Sequence, residues 1–182
     1  MTKTLFISTV AGLFLVCWAS SQAYAAAKGG RPMEVESSAF GQGGMIPSRY
    51  TCEGNNVSPP LAWKGAPQGT KSIALVADDP DSPKGSWVHW VYYDIPMQVS
   101  HLPENISKRS KPDTGGAQGV NDFRNVGYDG PCPPSGTHRY YFKVYALDTV
   151  LGLKPGASKK ELLKAMEGHV LSEGTLMGRF AR

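Results

Sequence analysis

Arg139-Tyr140-Tyr141-Phe142-Lys143-Val144-Tyr145-Ala146-Leu147 decides how this chain is built. Tyr140, Phe142, Val144 and Ala146 fall on one face, and Tyr141, Lys143 and Tyr145 on the other. That is the period of a β-strand with one side in a core. A proline-stiffened turn precedes it, Gly130-Pro131-Cys132-Pro133-Pro134-Ser135-Gly136-Thr137, and His138 shares the face of Tyr140. A related pattern stands earlier in the chain. Ser72 to Ala77 reads as a buried strand running into Asp78-Asp79-Pro80-Asp81-Ser82-Pro83. After a short spacer, Trp87-Val88-His89-Trp90 opens another strand that Pro96 stops.

The remaining sequence fits the same reading. Apolar runs are short and Gly or Pro interrupts them every few residues, which predicts a mostly β domain. Val35 to Phe40 and Leu61 to Trp63 are weaker strand candidates. Ser100 to Tyr128 is polar and Gly-rich without a period, as expected of a functional loop or of short irregular elements. One helix is predicted near the C-terminus. Ser158 and Glu161 form a capping box ahead of Leu162, Leu163, Met166 and Val170 at helical spacing, and Gly168 weakens its last turn.

The two turns carry the chemistry. Strand parity places Trp87, His89 and Val91 on one face, so His89 and His138 can converge where strands start and end. An imidazole can meet an anion with one nitrogen while a carboxylate orients the other, and Asp79 and Asp81 are the candidate orienters. The prolines hold those carboxylates with little conformational freedom. Gly130-Pro131 and Gly136 would let backbone approach a ligand, with peptide N–H groups donating as in a nest. The plainer readings are a turn whose carboxylates cap backbone N–H groups, core histidines, and ordinary core aromatics at Trp87, Trp90 and Tyr140. Arg139 reads as structural, and His101 and His169 have no comparable setting.

The first residues read as an export signal. Lys3 precedes an apolar run from Leu5 to Trp18, too short to span a bilayer comfortably, and Ala23-Tyr24-Ala25 is a small-x-small cleavage site. Residues 1–25 are expected to be removed, 26–32 to be a flexible leader and 33–182 to form one domain, periplasmic or secreted. No transmembrane segment is expected after cleavage. Cys17 leaves with the signal, so Cys52 and Cys132 remain, a pair that an oxidising compartment favours as a disulfide. The alternative is a free, reactive Cys132 beside His138. The formal net charge of +4 is spread without a basic run, which argues against a nucleic-acid surface.

These motifs resemble the phosphatidylethanolamine-binding protein family, also called Raf kinase inhibitor-like, in its bacterial YbhB/YbcL branch. The resemblance rests on Asp79-Pro80-Asp81-Ser82-Pro83 with Trp87-x-His89, and on Gly130-Pro131-x-Pro133-Pro134-x-Gly136-x-His138-Arg139-Tyr140. Lesser matches run from Tyr50 to Leu61 and from Glu167 to Leu171. It implies a large central antiparallel sheet packed on a smaller sheet, with a few peripheral helices including a C-terminal one. It also implies a shallow pocket for phosphate, phosphorylated head groups or acetate-like ions. Carried over, that pocket comprises Asp79, Asp81, Pro83, Trp87, His89, Gly130, Pro131, His138 and Tyr140. Cys132 stands where many plant relatives carry a basic residue, and the Pro83–Trp87 spacer is shorter than in mammalian relatives.

The expectation is therefore a non-catalytic binding protein for a small anionic ligand, with no cofactor and no metal. No catalytic triad order, metalloprotease helix or nucleotide-type phosphate loop is present. A second reading is an inhibitor or interaction protein that meets a protease or host partner through a surface loop within Ser100 to Tyr128. A third is an enzyme, with a metal held by the two His and two Asp, or a Cys132–His138 pair.

Overall fold

The apolar runs become strands because each can bury a face, and the Gly- and Pro-rich stretches become turns. The structure is a computed structural model and describes residues 32–182. The export signal expected at 1–25 lies outside the described residues, as does the flexible leader expected at 26–32 apart from Pro32. In chain order the strands are β1 (Glu34–Glu36), β2 (Leu61–Lys64), β3 (Ser72–Asp79), β4 (Trp87–Pro96), β5 (His101–Leu102), β6 (Ala117–Gln118), β7 (Thr137–Leu147) and β8 (Val170–Ala181). One α-helix, α1 (Lys159–Met166), and a 3-10 turn at Ser48–Tyr50 complete the described elements. Five strands make the large sheet, in the order β6-β4-β3-β7-β8, and three make the small one, β1-β2-β5. All neighbours are antiparallel. This is the expected mostly β architecture, with the peripheral helices reduced to α1 and the 3-10 turn among the described residues.

β3 is buried along its whole length because the large sheet is covered on both faces. Ile73, Leu75 and Ala77 join Trp90, Tyr92, Phe142 and Val144 against Leu61 and Trp63 of the small sheet. On the other face Ala74 and Val76 join Val91 and Tyr93 against Leu162 and Met166 of α1. Burying one such large apolar side chain contributes roughly 1.5–3 kcal/mol. The period-two reading of Arg139 to Leu147 is the observed one, with Tyr140, Phe142, Val144 and Ala146 inward.

Three expectations are corrected. The capping box at Ser158 and Glu161 is present, but α1 stops at Met166, and Val170 opens β8 instead of extending the helix. Gly168, at φ +78°, takes the left-handed conformation that turns the chain between them. β8 itself has no counterpart in the sequence reading, because two of its inward positions are glycines. A Cβ at Gly174 would stand 2.2 Å from the Met33 carbonyl oxygen, and one at Gly178 would stand 2.5 Å from Ile46. The third correction is parity in β4. Ala77 pairs with Trp90 but Asp78 pairs with Val88, so His89 is an extra residue in a bulge. Val91 therefore turns to the α1 side, while Trp87 and His89 stay together on the opposite one.

Ser100 to Tyr128 holds β5 and β6 and is pinned by buried polar side chains. Gln118 donates to the carbonyls of Ser107 (2.8 Å) and Arg109 (2.7 Å) and accepts from Trp90 Nε1 (2.7 Å). Among the described residues no helix is long and apolar enough to cross a membrane.

Candidate functional site

Asp79 ends β3 and pairs with Trp87, which starts β4, so the turn over residues 80–86 rises from two neighbouring strand ends. His138 enters from β7, and its Nδ1–H donates to Asp79 Oδ2 at 2.7 Å. The other Asp79 oxygen accepts the Asp81 backbone N–H at 2.8 Å. Both carboxylate oxygens are thus fixed, and with them the imidazole plane.

His89 arrives through the β4 bulge. Its Nδ1–H donates to the Asp129 carbonyl at 2.7 Å, which sets the ring's tautomer because a carbonyl only accepts. Tyr140 and Phe123 stand edge-on to this ring, at 5.2 and 5.4 Å between centroids. Burial lowers the His89 pKa, with the Asp129 and Gly130 backbone and the Asp79 charge pulling the other way. The Asp129 carboxylate is fully engaged by Asn56, Lys108, Asn121 and Asn125.

Between these groups lies a hollow of about 230 Å³, lined among others by Asp79, Pro83, Trp87, His89 and His138. Lys84 stands at its rim, with Nζ 5.5 Å from the Trp87 ring centroid. The disulfide between Cys52 and Cys132 is formed, with 5.4 Å between Cα atoms, so Cys132 is a wall of the hollow and not a free thiol.

Four residues expected in the pocket stand behind it. Asp81 turns away to Arg139, whose Nε and Nη2 donate to its two oxygens at 2.9 and 2.6 Å. That guanidinium holds the Asp81 carboxyl at about 2. The Gly130 N–H donates to Asn56 Oδ1 at 2.7 Å, and the Gly136 N–H to the Arg182 carbonyl, so the expected backbone nest is already occupied. Pro131 offers no N–H, and its carbonyl accepts from Cys52. What Gly130 supplies is space, since a Cβ there would stand 2.2 Å from the Tyr50 carbonyl oxygen. Tyr140 supports His89 from beneath, and its hydroxyl is buried without a hydrogen-bond partner of normal geometry. Burial, then the Asp79 and Asp81 charges, push its phenol pKa up.

Sequence reasoning missed Phe123, Lys84, Asp129 and the anchoring Asn121. Phe123 carried a signal as a lone aromatic inside Asn121-Asp122-Phe123-Arg124-Asn125. Asn121 places it, accepting the Phe123 and Asn125 N–H groups at 3.0 and 3.1 Å. A wider depression of about 620 Å³ flanks α1, lined by Val88, Leu163 and three lysines. Its Lys159 is held by Asp78 and its Asp122 accepts the Val88 N–H. Among the described residues, no three His, Cys, Asp or Glu side chains are grouped to hold a metal ion.

The comparisons with known proteins agree with this fold. The phosphatidylethanolamine-binding protein family profile matches residues 36–181. The chain is 54% identical over 150 residues to the UPF0098 protein of Methanothermobacter thermautotrophicus, covering 82% of this chain and 99% of that one. It is 40% identical to a phosphatidylethanolamine-binding protein homologue from Chlamydia trachomatis, whose crystal structure superposes with a TM-score of 0.76 over 83% of this chain and 98% of that one. The crystal structure of Escherichia coli YbcL, described as a member of the mammalian family, gives a TM-score of 0.77 at 34% identity, over 82% and 98%. The chain belongs to the phosphatidylethanolamine-binding protein family.

Proposed function

We propose that this chain is an exported binding protein that takes phosphate, or a phosphorylated or carboxylate head group, into the hollow between β3, β4 and β7 without turning it over. The observation that carries the reading is the convergence of His138, His89 and Lys84 on one small concave surface with aromatic walls. The Asp79 carboxylate fixes the imidazole it orients, and a charge-assisted hydrogen bond to an anion is about twice as strong as a neutral one. Trp87, Phe123 and the prolines give the hollow a largely apolar lining with room for an apolar substituent. Among the described residues, the sulfur that lines the hollow is bonded to Cys52, and the Nδ1 hydrogen bonds of the two rings run to Asp129 and Asp79.

The loop from Ser100 to Tyr128, the basis of the interaction-protein reading, turns its most distinctive side chains inward. Gln118 and Asn121 are buried, and Phe123 faces the hollow, so the observations favour the pocket. Phosphate titration followed by histidine NMR tests the proposal. Resonances of His138 and His89 should shift together at millimolar phosphate while His101 and His169 stay still. Silence at both ring systems would remove the binding claim. Export is tested separately, by N-terminal sequencing of the protein recovered from outside the cytoplasm, which should begin just after Ala25.

A further inference from the structure

The ring nitrogens at the hollow have unequal freedom. His138 has already spent Nδ1 as a donor, because the Asp79 carboxylate can only accept. Asp79 cannot turn to offer anything else, since its second oxygen holds the Asp81 N–H. His89 has spent Nδ1 in the same way on the Asp129 carbonyl. Each neutral ring therefore turns a lone pair, not an N–H, toward the ligand. The donors that line this surface are Lys84 at the rim, the Ser82 hydroxyl and the Trp87 indole N–H, none of them on a histidine ring. An anion lowered onto a neutral His138 would meet lone pair against lone pair, a repulsive contact that only a proton between them relieves.

We infer that the site binds an anion together with one proton, seated between His138 Nε2 and the ligand oxygen. The inference rests on reading the hollow as an anion site. It divides ligands by chemistry. A phosphate monoester or inorganic phosphate that still carries one P–OH brings the hydrogen itself and donates it to Nε2. A phosphodiester, as in a lipid head group, or sulfate has none to bring, and binds only as His138 takes a proton from solvent. Free phosphate and a diester head group thus share the same oxygen contacts but differ in the proton count.

The charges that bear on His138 come from every side. Asp79 on β3 holds the ring, and Asp81 in the following turn lies close enough to feel it but is neutralised by Arg139. From β4 comes His89, and from the turn before β7 the disulfide wall. On the far side β8 presents Phe180 opposite His138, with Arg182 directed to Cys132 and Glu53. The Asp129 carboxylate is spent on Lys108 and three asparagines. Among the described residues that line the hollow, Lys84 is the one Lys or Arg side chain.

Two measurements on the intact chain test this. Two-bond 1H–15N correlation of the ligand-free protein at about pH 8.5, above the ordinary imidazole range near 6.5, should show His138 with hydrogen on Nδ1 and none on Nε2. Hydrogen on Nε2 would overturn the inference outright. Calorimetry in two buffers of different ionisation enthalpy then counts protons. Dimethyl phosphate and sulfate should bind with uptake of about one proton per site and weaken about tenfold per pH unit as pH rises. Inorganic phosphate at the same pH should bind with far smaller uptake. Equal affinity for dimethyl phosphate at high and low pH, with no proton taken up, would overturn the inference while leaving the anion site standing. Failure of all three anions to bind at any pH would instead remove the reading beneath it.

Discussion

Asp78 and Asp79 are neighbours in β3, each almost wholly buried at 2% and 4% exposure, and they face opposite sides of the large sheet. Asp78 looks toward α1, where Lys143 donates to it at 2.9 Å and Lys159 reaches it from the first turn of the helix. Burial works to raise its pKa, but the hydrogen bonds from Lys159 and Lys143 outweigh burial and leave the carboxyl below its ordinary value. Asp79 looks toward the hollow and holds one imidazole. A carboxylate closed by two ammonium groups is a structural clasp. One closed by a ring that can gain or lose a proton can respond to a ligand. Burial alone does not separate structure from function here; the nature of the partner does.

The largest expected effect tests how the hollow's wall is held. The Cys52–Cys132 disulfide spans 80 residues of sequence, so the loop-entropy estimate for opening it is about 4 kcal/mol. Cys52→Ser should lower the unfolding free energy by about that much in urea titration, and weaken phosphate binding because Cys132 is part of the wall. A loss below about 1 kcal/mol would mean the unfolded chain is already held together elsewhere.

The two aspartates come next. Asp78→Asn leaves two lysines without their carboxylate, and breaking a buried pair costs about 3 kcal/mol. Half-exposed lysine tails can relax toward water, so this is near the upper limit. Stability should fall while anion affinity hardly moves. Asp79→Asn should do the reverse, with about 1 kcal/mol of stability lost and a loss of affinity larger than tenfold. Equal changes in both properties for both variants would erase the distinction between the faces.

His138→Ala sharpens it further. Losing a charge-assisted hydrogen bond should weaken phosphate binding by about 1–3 kcal/mol, read by calorimetry. The stability loss should be close to that of Asp79→Asn, about 1 kcal/mol, since both variants remove the same hydrogen bond. A stability loss well beyond that of Asp79→Asn would assign this histidine to the core.

Much of this was legible in the residues, and what was not has identifiable causes. β3 and β7 announced themselves because apolar side chains fill their inward positions. β8 carries Ser172, Gly174 and Gly178 on its inward face, so no hydrophobic pattern survives, and those glycines answer to Met33, Phe40 and Ile46 far away in sequence. The histidines were readable from the turns beside them, and Asp79 with them. That Arg139 is the partner of Asp81 was not readable from sequence, because only the register of β7 against β3 brings the two together. The bulge at His89 was hidden too. Period-two counting assumes an unbroken ladder, and the extra residue shows only once Ala77–Trp90 and Asp78–Val88 pairs are both known. Phe123 was lost because a long polar loop was read by its average and not by its exception.

His89 gives the smallest effect and a direct test of the pocket side's chemistry. Its pKa is lowered by burial in the folded chain, while in the unfolded chain it titrates near 6.5. As pH falls through about 6.5, the unfolded chain gains a proton that the folded chain resists. More protons on the unfolded side means that stability falls with falling pH, and the decline ends once the pH passes below the folded-state pKa. The slope cannot exceed about 1.4 kcal/mol per pH unit for one group. His89→Gln, compared with the parent by urea titration from about pH 8 downward through 6.5, should remove this component. Asp78 contributes with a different window, being a carboxyl with a lowered folded pKa. Its stabilisation is complete above the unfolded carboxylate pKa near 3.9 and is lost only below that. The two faces of the sheet should therefore fail at different pH. If the decline near 6.5 persists in His89→Gln, another imidazole is responsible, and the buried ring beside the hollow is not the group that makes that face responsive to protons.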